Sequence, residues 1–513
     1  MRISREAVIR AYKAGVEAVV SLLDYANTII EEQKKRIKEL ENIDELQKQH
    51  INSLEDRLVL DSHNSSKPPS TDAFGKTQKD KGASIGRKKK GSGRKVGGQK
   101  GHSGTTLRMV DNPDEIVPNR VVECEQCGCC LEHIEAVDHE RRQVFDLPVK
   151  KYIVIEHQGE IKKCPRCGEI NRAEFPEDVK SPVQYGPRAK AAAVYLKNYQ
   201  LLPYERTGEL FDDLYSLPIC QATLVNANNT CADLLEEEET ARKEQLIKSP
   251  VVHFDESGFK VEGDRQWLHS AGTERLTFYG FHRKRGQVAM DEINILPRFQ
   301  GRAVHDHWKP YFNYSCQHGL CNAHHLRELA FIVERYDQKW AEKMIDFLLE
   351  TKEMVEEAQS YTYCLDEQTL KKRIAKYTRI LREGMLANPP PTDELDQPKR
   401  RGRKKQSKAK NLLDRLKDYK NEVLVFMYDF TVPFDNNLGE RDIRMLKVQQ
   451  KISGTFRSLK GASSFCRIRG YISTAKKNHA NALDAIEKVF LGKPIFPQDY
   501  SSAEETSERS PPT

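Results

Sequence analysis

From about residue 12 to residue 60, apolar residues return every seven positions: Val16, Leu23, Ile30, Ile37, Ile51 and Leu58, with Asp44 interrupting. Val19, Ala26, Leu40 and Leu54 fill the companion position, where Gln33 and Gln47 are polar. This repeat predicts one long helix, whose narrow seam is buried only against a partner helix. A coiled coil over 1–60 is therefore expected, with a homodimer as the simplest assembly and Asp44 and Gln47 fixing its register. The pattern stops at His63-Asn64-Ser65-Ser66-Lys67-Pro68-Pro69-Ser70, where two prolines follow a serine cluster.

Residues 61–110 are rich in Gly, Ser and Pro and read as a basic, flexible linker. Residues 111–180 form a small module. Between 181 and 245 three helical patterns follow one another, marked by Pro187, Pro203 and Pro218. Their short turns are compatible with a helix-turn-helix unit or with a plain helical spacer. The period then changes to that of strands, at Val251–Asp255, Arg265–Ser270 and Leu276–Phe281, each bounded by Gly-containing turns. A helical stretch near 287–299 leads to a fourth strand ending at Asp306. Residues 322–360 are helical, with Leu329, Ile332, Trp340, Met344 and Phe347 toward a core, and a further helix carries Leu412, Leu416 and Val423. Strands interrupted by helices indicate a mixed α/β domain. The tail from about 491 is polar and expected to be disordered.

The 513 residues suffice for about three domains. No apolar run is long enough to span a membrane and the N-terminus has no signal core, so a cytoplasmic protein is expected. Twelve cysteines are too sparse for a disulfide scaffold, which leaves metal binding as their better use. The net charge of +7 hides a strong asymmetry. Residues 76–100 carry ten Lys/Arg against one acid, and residues 399–410 carry eight and none. These runs include Arg87, Lys88, Lys89, Lys90, Arg94 and Lys95, and Arg400, Arg401 and Arg403. Such concentrated charge suits a polyanion such as nucleic acid; solvated tails are the alternative.

Cys124-Glu125-Gln126-Cys127 and Cys164-Pro165-Arg166-Cys167 are two Cys-x-x-Cys knuckles, able together to hold a structural Zn2+ through Cys124, Cys127, Cys164 and Cys167. Strand-like residues Val144, Phe145, Tyr152, Val154 and Ile155 are placed to form a hairpin joining them. Carboxylates stand at element ends: Asp255, Asp306 after 51 residues, and Glu440 after 134 more, in the first turn of a helix that follows Asn436-Asn437. Arg444 and Lys447 share its face. Three such carboxylates could hold two Mg2+ or Mn2+ ions for phosphoryl transfer, or serve merely as caps.

The ordered set of Lys67-Pro68-Pro69-Ser70, Gly97-Gly98-Gln99-Lys100-Gly101-His102, the paired knuckles, the strand with Asp255, Asp306 before Trp308 and Tyr311, and Asn436-Asn437-x-x-Glu440-Arg441-x-x-Arg444 closely resembles the transposase of the insertion sequence 66 family. The resemblance implies a zinc-binding module at 111–180, a helical DNA-binding region at 181–245, and an RNase H-like catalytic domain at 246–490 with a helical insertion near 330–425. It implies a DDE triad of Asp255, Asp306 and Glu440 with two Mg2+ or Mn2+ ions, phosphate contacts from Arg444, Lys447 and the basic runs, and strand cleavage and transfer at terminal inverted repeats. DNA is the implied partner, with accessory proteins of the same element. Cys321-Asn322-Ala323-His324 resembles a Cys-x-x-His signature following the second Asp of many transposases and is read as core support. One alternative is a zinc-containing DNA-binding regulator with an inactive core. Another is a recombinase using Tyr471 near Arg467 and Arg469, which would leave a covalent protein–DNA adduct.

Overall fold

A computed structural model of the chain describes residues 4–60, 64–65, 109–145, 152–167, 169–390 and 406–502. The basic runs with Arg87, Lys88, Lys89, Lys90, Arg94 and Lys95 and with Arg400, Arg401 and Arg403 lie outside the described residues, as does the tail beyond 502.

Helices α1 (Arg5–Ala14) and α2 (Val16–Val59) are followed by short strands β1 (Ile161–Lys163) and β2 (Ile170–Arg172). Next come α3 (Pro187–Asn198), α4 (Tyr204–Tyr215), α5 (Gln221–Leu234) and α6 (Glu236–Lys248). Strands β3 (Val251–Val261), β4 (Asp264–Gly272) and β5 (Thr277–His282) lead through α7 (Gln287–Ile293) to β6 (Arg302–His305) and β7 (Gln317–Leu320). The rest is helical: α8 (Asn322–Tyr336), α9 (Lys339–Ala358), α10 (Glu367–Ala387), α11 (Lys408–Asp418), α12 (Lys420–Tyr428), α13 (Asn437–Ser453), α14 (Leu459–Lys477) and α15 (Ala482–Phe490). The chain is thus mixed α/β, and no helix among the described residues is long and apolar enough to cross a membrane. It divides into two units.

One unit comprises residues 1–87, 302–308 and 317–436. Helix α2 has the length the heptads predict, and Val16, Leu23, Ile30, Ile37, Ile51 and Leu58 are all exposed along it. Its last turns are anchored. Asp56 accepts from Arg335 Nε at 3.3 Å and from the Tyr336 hydroxyl at 3.1 Å, and Lys408 approaches it at 3.3 Å. Helices α8 to α12 bury Trp340, Phe347, Leu348, Tyr377, Leu412 and Leu416. Strands β6 and β7 pair in parallel from Arg302 and Gln317 to His305 and Leu320. Strand β7, Gln-His-Gly-Leu, carries no alternation from which it could be read; Gly319 lets it lie close to Val432 and Val425.

The other unit comprises residues 88–301, 309–316 and 437–513. Strands β3, β4 and β5 form an antiparallel meander, with Asp255 opposite Ser270 and Ser270 opposite Tyr279. The β3–β4 turn is two residues, Glu262-Gly263, both at positive φ, which matches the right-handed twist of the strands. Strand β3 runs six residues beyond Asp255, so this residue lies within the strand and not at its end as the sequence suggested. Alternation sends Asp255, Phe259 and Val261 to one face, where Phe259, Val261, Leu268 and Tyr279 pack with Ile443 and Leu446 of α13 and Phe465 of α14. Helices α3 and α5 pack on α14 and α15 through Ala191, Val194, Cys231, Ile468 and Ile472.

In residues 109–180 the expected hairpin over residues 144–155 falls partly on residues 146–151, which lie outside the described residues. The antiparallel pair is β1 with β2, flanking the second knuckle, while the described residues from Val144 to Ile155 form no strand. The knuckle itself supplies the turn of this pair, since residues 164–167 lie between the two strands.

Candidate active site

Asp255 is half-buried, and its Oδ1 accepts from the Glu256 amide at 2.8 Å. Across the meander, Ser270 Oγ donates to the Asp255 carbonyl at 3.2 Å, and the Tyr279 hydroxyl donates to the Asp442 carbonyl at 2.7 Å. The second bond ties the start of α13 to the strand row that carries Asp255. Two more anchors fix its direction. Lys447 Nζ donates to the Gly258 carbonyl at 2.8 Å, and Phe456, just past the helix, bridges Val261 in parallel. Helix α13 therefore runs the same way as β3. Glu440 precedes Lys447 by two turns, roughly 10 Å at 1.5 Å per residue. Asp255 precedes Gly258 by three strand residues, also roughly 10 Å. The half-buried Glu440, in the first turn of α13, is thus about level with Asp255 on the surface that faces it.

The remaining side chains of α13 explain this placement. Asp442 is held by Lys477 at 2.6 Å and by Thr277 Oγ1 at 3.3 Å. Gly272 must lack a side chain there, because a Cβ would stand 2.7 Å from Asp442 Oδ2. Lys447 is committed to the strand, and burial lowers its ammonium pKa. Arg444 is exposed.

Asp306 follows β6 in the other unit, half-buried, with Oδ1 accepting from the Trp308 amide at 2.9 Å. The loop is braced from behind. His305 is fully buried, is bonded to the Asp306 carbonyl, and meets His318 Nδ1 at 3.1 Å; burial pushes its pKa down to about 3. The Cys321 amide donates to the His305 carbonyl at 3.0 Å. Cys321 is buried, and its sulfur accepts from the Asn436 amide at 3.1 Å. Asn322 donates to the Val423 carbonyl at 2.9 Å, so the start of α8 braces the segment leading into α13. This bracing role was legible only as a motif in the sequence.

Each knuckle is formed locally. The Cys124 amide donates to the Cys129 carbonyl at 2.9 Å, and the Cys164 amide to the Glu169 carbonyl at 2.7 Å. Backbone amides of Cys127 and Gln126 lower the Cys124 thiol pKa, and those of Cys167 and Arg166 do the same at Cys164. Both first cysteines are thereby biased toward thiolate, the metal-binding form. Among the described residues, the four sulfurs are not gathered within 4.8 Å of one another.

The recombinase alternative fails on burial. Tyr471 has no exposed surface, and its hydroxyl donates to the Ala485 carbonyl at 3.0 Å. Arg467 pairs with Glu239 at 2.7 Å, and Arg469 donates to the Asn198 carbonyl at 3.1 Å. The outer side of α4 presents Glu205, Glu209, Asp212 and Asp213 against Arg206, a charge balance that repels phosphate.

A mixed α/β chain with acidic residues on a central strand and on the helix packed over it falls among proteins that the sequence model of the transposase IS66 family describes; that model matches residues 182–464. This is more than half of the chain, which belongs to that family, and its role is that of a transposase. The match begins before α3, so the helices preceding β3 belong to the same family unit. A second model, of a family of unknown function, matches residues 24–108. No curated protein matches the chain.

Proposed function

We propose that the protein cleaves and joins DNA strands at the ends of its element, with Asp255, Asp306 and Glu440 as catalytic carboxylates. The alignment of α13 along β3, which sets Glu440 level with Asp255, carries this reading. The chain order supports an RNase H-like core: an antiparallel meander, a helix, a parallel strand pair, a helical insertion, and the helix bearing the last acid. Half-buried carboxylates are hard oxygen donors and suit two Mg2+ or Mn2+ ions. Bound there, the ions would supply Lewis-acid activation of water or a 3′-hydroxyl and stabilise the leaving oxygen.

The protein's own work is placement. The Glu256 amide orients the Asp255 carboxylate, the Trp308 amide orients that of Asp306, and the Tyr279–Asp442 bond holds the turn carrying Glu440. Arg444 contacts phosphate, while Lys447 acts through the backbone of β3. The basic runs at 87–95 and 400–403 add sequence-independent contacts to DNA. Cys124, Cys127, Cys164 and Cys167 hold a structural Zn2+ that draws the two preorganised knuckles together. The exposed seam of α2 pairs two copies.

Asp255→Asn, Asp306→Asn and Glu440→Gln are each expected to abolish Mg2+-dependent nicking of a duplex carrying an element end. Binding of that duplex should stay within about threefold of the parent, since the charges removed are not phosphate contacts. Nicking retained by any of the three would overturn its assignment.

A further inference from the structure

The face of the meander opposite α13 carries a stack that the carboxylate site does not use. Alternation along β4 puts Arg265 and Trp267 on this face, and register sets Trp267 between Gly258 of β3 and His282 of β5. Arg265 lies over the indole at 4.5 Å and Arg285 at 5.0 Å. Gly258 makes room for the stack: a Cβ there would stand 3.3 Å from Arg265 Nε and 3.6 Å from the Trp267 ring.

The inner layer is fixed from beneath. Arg285 Nε donates to Glu256 Oε1 at 2.9 Å, and the Tyr311 hydroxyl donates to Glu256 Oε2 at 2.6 Å. The Glu256 side chain is 1% exposed. Burying that carboxylate adds little net stability, because desolvation offsets most of the attraction. Its clear effect is positional: it holds the Arg285 guanidinium beside the indole. Arg265, by contrast, is exposed, and so are Lys260 opposite it and Lys284 near Arg285. Glu262 and Asp264, also exposed, lie at the turn beyond Arg265.

Cations held beside an aromatic ring on a prepositioned surface fit a nucleotide, which offers a flat base to stack and a phosphate to pair. We propose that the Arg265–Trp267–Arg285 ladder is a platform for an unpaired nucleotide of single-stranded DNA, with Lys260 and Lys284 on the flanking phosphates. It rests on the transposase reading and adds to it a place for a strand released from the duplex.

The test uses the full chain and a fluorescein-labelled single-stranded oligonucleotide, with a blunt duplex of the same length as the comparison. Trp267→Ala and Arg265→Ala should each weaken single-strand binding about tenfold and duplex binding much less. Trp267→Phe keeps an aromatic ring beside the guanidinium groups and should retain most of the affinity, which separates stacking from misfolding. Single-strand binding within twofold of the parent in both alanine variants would overturn the platform. So would an equal loss on duplex, since that marks a phosphate contact alone. A parent that shows the alanine sensitivity but never nicks DNA would instead sink the strand-transfer chemistry and leave the platform standing.

Discussion

Residues 109–180 and the β3–β5 meander with α13 and α14 belong to the same unit and are built on opposite terms. In the meander, Leu268, Leu446 and Phe465 have at most 2% exposure, and Asp255 and Glu440, the acids proposed for catalysis, stand on elements packed over this layer. Among the described residues of 109–180 none is buried; Ile116, Val122 and Val154 are all more than half exposed. The few half-buried positions there include Cys124 and Cys164. A segment without a core cannot offset its own conformational entropy. What it does have is two knuckles whose thiols are already biased toward the charged form. The difference teaches that one region is folded by apolar burial, while on the proposed reading the other is folded by its metal.

Metal removal should break this comparison most sharply. Structural zinc contributes about 10–16 kcal/mol in small thiolate sites, far more than any single side chain here. Chelation, or Cys164→Ser, is therefore expected to erase amide-exchange protection throughout 109–180 while leaving that of β3–β5 and α14 unchanged. Metal content should fall from one zinc per chain to none. Unchanged protection in 109–180 would show that the region is folded by something other than its cysteines.

Truncation to alanine in each region sharpens the contrast at smaller scale. Leu268 has no exposed surface, and Leu268→Ala should cost about 2–5 kcal/mol in a urea titration. Val154 is 83% exposed, and Val154→Ala should change stability by no more than about 0.5 kcal/mol. A large effect at Val154 would mean that the exposed valines of the knuckle region meet a partner.

How far each region could be read from sequence follows from the same physics. Helix α2, the three strands of the meander and the helices after β7 announce themselves by period, because each repeats one local rule over many residues. Strand β7 does not: Gln-His-Gly-Leu is a strand because Gly319 allows close approach to Val425 and Val432, a tertiary cause with no local signal. The length of β3 was missed because Glu256-Ser257-Gly258 looks like a turn. In the fold those residues are held by the Glu256–Arg285 pair and by the ladder over Gly258. Knuckle spacing and the acids at 255, 306 and 440 were visible as residues. That Lys447 is spent on a strand carbonyl, and that Tyr471 is inaccessible, were not, since both depend on which face a helix buries.

A last effect, a slope with pH rather than a single loss, concerns groups that only a core can perturb. Burial pushes the His269 pKa down to about 4 and raises that of Glu238 to about 7. The two act in opposite directions. A depressed histidine means that the unfolded chain binds more protons, so stability is lost as pH falls from about 6.5 toward 4. A raised carboxyl means that the folded chain binds more protons, so stability is lost as pH rises from about 4.5 to 7. Between roughly pH 4.5 and 6.5 these two slopes oppose each other, but the buried His305 and His325 are depressed in the same sense as His269, so the parent's stability should rise with pH. Glu238→Gln removes the opposing slope, and its stability should rise with pH more steeply than the parent's by up to about 1.4 kcal/mol per pH unit. His269→Gln should show the reverse, a rise shallower than the parent's by a similar amount. Urea midpoints measured at four or five pH values are enough to see the signs. Parallel curves for the parent and both variants would mean that neither group is desolvated as its burial requires.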